Sequence, residues 1–309
     1  MTTILYSHAA CADHDTGPRH PESSQRLAAI SRALDADEFA VLEREQPPRA
    51  EVAQIRRMHR SAYVDRVMES APTQGRRALD SDTVMSPGSL EAALRAVGAI
   101  CAAVDAVVTD RAMNAFCAVH PPGHHAEPGH AMGFCIFNNV AIGAAHARAE
   151  HQLRRVAVID FDVYHGNGTQ TMFADVAELF YGSTHQWPLY PGTGAEEERG
   201  AHGNIVNCPL APGAGGGHFR RVMTDRLLPA LDGFAPELIL ISAGFDAHMA
   251  DPLAQLNLDE TDFAWATKEI FDIAQRHCGG RVVSTLEGGY DLEALATSTA
   301  AHVRALIAG

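Results

Sequence analysis

The 309-residue chain lacks a basic excess: 24 Lys and Arg stand against 38 Asp and Glu, a formal net charge of −14. Proteins that live on DNA, RNA or anionic lipid carry a basic footprint, so neither nucleic acid nor a membrane surface is an expected partner. No apolar run reaches the ~18 residues of a membrane span. Met1-Thr2-Thr3 leads directly into Ile4-Leu5-Tyr6, without the charged and apolar regions of a secretory signal. The six cysteines (Cys11, Cys101, Cys117, Cys135, Cys208 and Cys278) form no C-x-x-C pair, which argues against a zinc knuckle or a disulfide framework. Several lie in apolar runs, where a reduced Cys acts as a small core residue. The expected compartment is therefore the reducing cytoplasm. Repeats, low-complexity tracts and separating linkers are also missing, so a single domain over 1–309 is expected.

What is present is an alternation of short apolar runs with long stretches of helical period. Strands are expected at Thr3–Tyr6, Asn114–Val119, Arg155–Asp160, Leu179–Ser183, Glu237–Ala243 and Arg281–Leu286. Helices are expected over Ser89–Val108, Asn138–His151, Gly217–Leu231, Asp259–His277 and Asp291–Ile307, with Ser89 and Asp259 as N-caps. Continuous apolar strands joined by helices read as an α/β fold, a parallel sheet covered on both faces. Such sheets bind ligands beyond the carboxyl ends of their strands.

Four of these strand ends carry reactive residue types. Asn114–Val119 runs into His120-Pro121-Pro122-Gly123-His124-His125, where a Pro/Gly turn lets two adjacent imidazoles face one cleft. Imidazoles of near-neutral pKa suit a general base and an electrostatic partner; taken alone, a His pair is more often a surface or metal-site feature. Arg155–Asp160 runs into Asp162 and His165-Gly166-Asn167. Asp160 and Asp162, at i and i+2, share one side of an extended chain. Their repulsion calls for a cation or an imidazole; helix capping is the plainer alternative. Glu237–Ala243 delivers Asp246, and Arg281–Leu286 delivers Gly288-Gly289-Tyr290, whose hydroxyl suits an oxyanion donor.

Together with His20-Pro21-Glu22…Arg26, Gly133–Asn139 and Tyr190-Pro191-Gly192-Thr193-Gly194, these motifs resemble the histone deacetylases, most of all the class II branch and its bacterial relatives. The resemblance runs from about Tyr6 to the C-terminus in the family's order. It implies a three-layer α/β/α domain with a mainly parallel eight-stranded sheet and a narrow tunnel to one catalytic Zn²⁺. Asp162 and Asp246 would hold the metal. His125 would be the base, oriented by Asn167, with His124 beside it oriented by Asp160. Tyr290 would bind the oxyanion, Phe134 and Tyr190 would wall the tunnel, and the Gly133 carbonyl would accept the substrate N–H. A structural K⁺ would involve Asp160, Asp162 and Ser183. The implied substrate is an acetylated amine or an acetyl-lysine peptide. The oligomeric state stays open, a homo-oligomer included. An arginase-like two-metal site fits these motifs less well.

One position departs from the family pattern. The third metal ligand is a His two residues after the ligand Asp; here that position is Tyr164, and His165 matches the following, non-ligand His. A phenol of pKa near 10 must lose its proton to bind well. Its hydroxyl also reaches past the about 2.0–2.2 Å of a metal–oxygen bond if it simply replaces an imidazole. Three outcomes remain open at this stage: weak metal held by Asp162, Asp246 and water; a rearranged Tyr164 ligand; or a metal-free tunnel that binds acylated amines without cutting them.

Overall fold

The computed structural model describes residues 2–309. Its main sheet has eight strands: β1 (Thr3–Tyr6), β2 (Glu43–Glu45), β3 (Asn114–Cys117), β4 (Val156–Asp160), β5 (Leu179–Gln186), β6 (Ile205–Leu210), β7 (Leu238–Ala243) and β8 (Val282–Leu286). They run in the spatial order β2-β1-β3-β8-β7-β4-β5-β6, and every pairing is parallel.

Alternate residues of each central strand enter two separate apolar cores. Leu238 and Leu240 of β7, with Val156 and Val158 of β4, pack under the helices Ser89–Val108 and Asn139–His151. Ile239 and Ile241, with Ala157 and Ile159, pack on the opposite face under Gln25–Leu34, Glu260–Cys278 and Leu292–Ala308. Burial on both faces is why these strands read as unbroken apolar runs. The result is the expected three-layer α/β/α arrangement.

Three local expectations are corrected. The helix at Ser89 is capped by Gly88; Ser89 lies inside the first turn, and its hydroxyl accepts the Ser86 N–H (2.7 Å). The stretch expected as one helix over Gly217–Leu231 is Gly216–Val222, a π-turn at Met223–Leu227, then Leu228–Phe234. Pro229 has no N–H and crowds the carbonyl four residues back, which loosens the helical ladder there. Strand β3 ends at Cys117, two residues early, because the chain turns away into the prolines. Asp259 does cap its helix, in a reciprocal capping box with Asp262.

The order of strands places the site. Strands β3, β8, β7 and β4 are consecutive in the centre of the sheet. Their carboxyl ends are the four that carry the His, Tyr and Asp motifs, so residues more than a hundred positions apart in the chain meet over one rim.

Candidate active site

At that rim lies a cavity of about 170 Å³, walled by Asp82, Pro122, His124, His125, Gly133, Phe134, Tyr164, Tyr190, Gly288 and Tyr290. Ligand pockets for drug-sized molecules span about 300–1,000 Å³, so this one suits a thin, linear group. A larger hollow of about 820 Å³ around Arg57, Arg148 and Met172 contains none of these residues.

Their surroundings push the pKa values of the two histidines in opposite directions. His124 donates from Nδ1 to Asp160 Oδ2 at 2.9 Å, and its Nε2 lies 3.8 Å from Asp162 Oδ1. Burial disfavours its charge, but Asp160 and Asp162 outweigh that and hold its pKa well above the usual value. His125 is pushed well below the usual value, by burial first and by cationic His124 second. Its Nδ1 meets Asn167 Oδ1 at 2.8 Å. The orientation of that amide is fixed from behind, because Asn167 Nδ2 donates to Glu127 Oε1 (2.8 Å). An acceptor at Nδ1 puts the ring proton there and leaves the Nε2 lone pair free.

Asp162 and Asp246 form a buried carboxylate pair. Asp162 Oδ1 accepts from Tyr164 N (2.9 Å), and its Oδ2 accepts from Gly288 N (2.8 Å). Asp246 Oδ1 accepts from Val163 N (2.8 Å), while its Oδ2 is buried with no hydrogen-bond partner. Burial, then Asp162, pushes the Asp246 carboxyl well above its ordinary pKa. Position 288 requires glycine: a Cβ there would lie 1.9 Å from Asp246 Oδ2 and 2.7 Å from Asp162 Oδ2. An orphaned carboxylate oxygen beside a second carboxylate fits a dication.

The third donor of the resemblance is absent. The Tyr164 hydroxyl donates to the Leu253 carbonyl at 3.1 Å, and burial with the neighbouring aspartates raises its pKa far above normal. His165 is held elsewhere, by Thr193 Oγ1 (2.8 Å) and Gln170 Oε1 (2.9 Å). The residues thus fit a dication on two carboxylates but not an Asp–His–Asp zinc set. The oxygens named for potassium already have protein partners: Asp160 accepts from Asp162 N, His124 and the Tyr181 hydroxyl, and Ser183 pairs with His185 Nδ1 (2.9 Å).

Along the wall, Phe134 meets Tyr290 edge-on with ring centroids 6.1 Å apart, and Tyr190 meets His125 in the same way at 5.2 Å. Gly133 (φ +56°) is packed against His125, where a Cβ would come within 2.3 Å of the ring. Its N–H donates to Asp82 (3.0 Å), and its carbonyl accepts the Cys135 thiol (3.2 Å).

Several residues that shape the site were given no role by the sequence. Buried Glu287 accepts from Gly123 N (2.6 Å), His124 N (3.1 Å) and the Ser242 hydroxyl (3.1 Å), tying three strand ends together. Burial pushes its carboxyl up to about 7. Asp251 accepts from Tyr290 N (2.7 Å) and Leu253 N (3.0 Å), and so fixes both the Tyr290 turn and the carbonyl that holds Tyr164. Arg26 donates to Gly289 O (2.7 Å) and, through Nη1, to Glu22 (2.8 Å), and its guanidinium lies 5.2 Å from the Tyr290 ring centroid.

A parallel sheet with His, Asp and Tyr at its central carboxyl edge defines the arginase/deacetylase class of α/β folds. Comparison with known proteins narrows this. The histone deacetylase domain family matches residues 20–306. Histone deacetylase 14, chloroplastic, of Arabidopsis thaliana is 39% identical over 98% of this chain and 76% of its own length. The histone deacetylase-like amidohydrolase of Pseudomonas aeruginosa is 39% identical over 88% of this chain and 72% of its own. The crystal structure of the HDA15 HD domain superposes with a TM-score of 0.94 at 32% identity, covering 99% of this chain and 88% of that one. The chain belongs to the histone deacetylase family.

Proposed function

We propose that the chain is an amidohydrolase that removes the acetyl group from an N-acetyl amine, either an acetyl-lysine side chain or a small acetylated amine. The observation that carries this reading is the pair His124 and His125. His124, its charge favoured by Asp160 and Asp162, stands beside His125, its charge disfavoured by burial and its Nδ1 on Asn167, and both line a cavity of about 170 Å³.

The residues divide the work as follows. Phe134 and Tyr190 grip the alkyl stem. Nε2 of His125 takes the proton of the attacking water, and Asn167 accepts from Nδ1 as the ring becomes cationic. The Tyr290 hydroxyl is kept protonated by burial and by Asp246, and donates to the oxyanion formed from the acetyl carbonyl. The proton held on His125 then passes to the departing amine nitrogen, and acetate remains. A cation on Asp162 and Asp246, Zn²⁺ being the family's metal, would supply positive charge near the carbonyl and the water.

The named activities of the deacetylase and amidohydrolase relatives support this assignment. All six cysteines are free and buried, which supports a reducing, cytoplasmic setting. No helix among the described residues is long and apolar enough to cross a membrane.

The test is acetate release from an acetyl-lysine peptide and from a small N-acetylated amine, by chain supplied with a divalent metal. Release that disappears in His125→Ala and under a hydroxamate supports the reading. Peptide binding without acetate from any metal-supplied form refutes it and leaves a tunnel that binds without cutting.

A further inference from the structure

The donor set at the carboxylate pair has a consequence for which metal it takes. Among the described residues, the groups of three His, Cys, Asp or Glu side chains close enough to share an ion are His14–Glu22–His120 and Asp105–His146–His151; neither includes Asp162 or Asp246. No imidazole therefore completes a three-ligand set with the pair; His124 Nε2, the atom that comes near, lies 3.8 Å from Asp162 Oδ1. The Nδ1 atoms of the two adjacent imidazoles are taken, that of His124 by Asp160 and that of His125 by Asn167. Tyr164, which stands beside the pair, places its hydroxyl on the Leu253 carbonyl (3.1 Å) and turns its ring toward His125 (6.2 Å) and Tyr190 (6.1 Å). It is a wall of the cavity and not a ligand.

We propose that this centre is an all-oxygen cation site, built from Asp162, Asp246 and water, and that it has lost most of the preference for Zn²⁺ over harder ions such as Mn²⁺. This rests on the reading above that these two carboxylates hold the metal. The chemistry is that of donor softness. Carboxylate and water suit Mg²⁺, Ca²⁺ and Mn²⁺, while imidazole favours zinc and its neighbours. Asp246 Oδ2, buried and unpartnered, is the open oxygen, and it packs with Asp162 Oδ2 against Gly288. The other carboxylate oxygens accept backbone N–H groups from Val163, Tyr164 and Gly288, which fix their directions and leave further lone pairs for an ion.

The test measures binding and not turnover. Stripped chain is titrated with Mn²⁺, read by loss of the free-ion EPR signal, and with Zn²⁺, read by competition against a chromophoric chelator. The native chain is compared with Tyr164→Phe, Tyr164→His and Asp246→Asn. Tyr164→Phe should leave both affinities within about twofold, since no ligand is lost. Tyr164→His should raise Zn²⁺ affinity by more than about 100-fold, beyond what an outer partner is worth. It should raise Mn²⁺ affinity by about tenfold or less. Equal gains for the two ions, or weaker binding in Tyr164→Phe, overturn the proposal. If Asp246→Asn binds both ions as tightly as the native chain, the assignment of the metal to this pair fails, and the proposal fails with it.

Discussion

Replacing Asn167 by Ala tests how the base is prepared. In the native chain the His125 Nδ1–H meets Asn167 Oδ1 at 2.8 Å, and Glu127 Oε1 pins that amide from behind at 2.8 Å. Without the amide, the ring has two choices. It keeps the proton on Nδ1 as a buried unpaired donor, at a cost of about 1–3 kcal/mol. Or it moves the proton to Nε2 and loses the lone pair that should take the water's proton. At about 1.4 kcal/mol per factor of ten, either route lowers kcat by roughly 10–100-fold. The substrate contacts at Phe134 and Tyr190 are untouched, so KM should change little. Asn167→Asp gives the opposite control: a carboxylate accepts the same N–H and stabilises the imidazolium. Its activity should persist, and the acid limb of its pH–rate profile should move upward from a native position below pH 6.5. Steady-state acetate release from pH 5 to 9 reads both effects. An Asn167→Ala enzyme with native kcat would refute the role of this hydrogen bond.

Other expectations follow from the same geometry. Gly288→Ala puts a methyl 1.9 Å from Asp246 Oδ2, so the carboxylates must part; calorimetry should show metal affinity reduced by at least about tenfold, and native affinity would contradict the shared site. Phe134→Ala removes one tunnel wall and should raise KM by about tenfold with kcat nearly unchanged, a split visible in steady-state kinetics. Buried His14, His59, His165, His185 and His302 are held neutral by burial, at about 3, 4, 3, 4 and 3 against an ordinary 6.5. The unfolded chain binds more protons below pH 6.5, so stability is complete above that pH and is lost as pH falls toward 4. The loss approaches on the order of 1 kcal/mol per His per pH unit. Urea midpoints at pH 7.5 and pH 5 check this, and equal midpoints would contradict it.

Much of this architecture was legible in the sequence for a physical reason. Strands buried on both faces have to be apolar throughout, so the central ones, such as Leu238–Ala243, stand out. Edge strands carry less of that signal. Glu43–Glu45 is charged and pairs on one side only, and Ile205–Leu210 tolerates Pro209 because it too lies at an edge. At the site, His124, His125, Asp162, Asp246 and Tyr290 announce themselves by residue type beside a strand end. Glu287 also stands at a strand end, but its role and that of Asp251 could not be read there, because each acts by accepting backbone N–H groups from segments distant in the chain. Nor could spacing tell where the Tyr164 hydroxyl points. That depends on the Leu253 carbonyl, brought close by a loop that Asp251 holds.

The most direct measurement is to run the reaction on an acetyl-lysine peptide in H₂¹⁸O, with metal supplied, and to weigh the products. Hydrolysis through His125-activated water predicts the deacetylated peptide, its lysine amine free, and an equal amount of acetate carrying one solvent oxygen. A peptide that binds and is recovered intact, under every metal tried, would contradict the account.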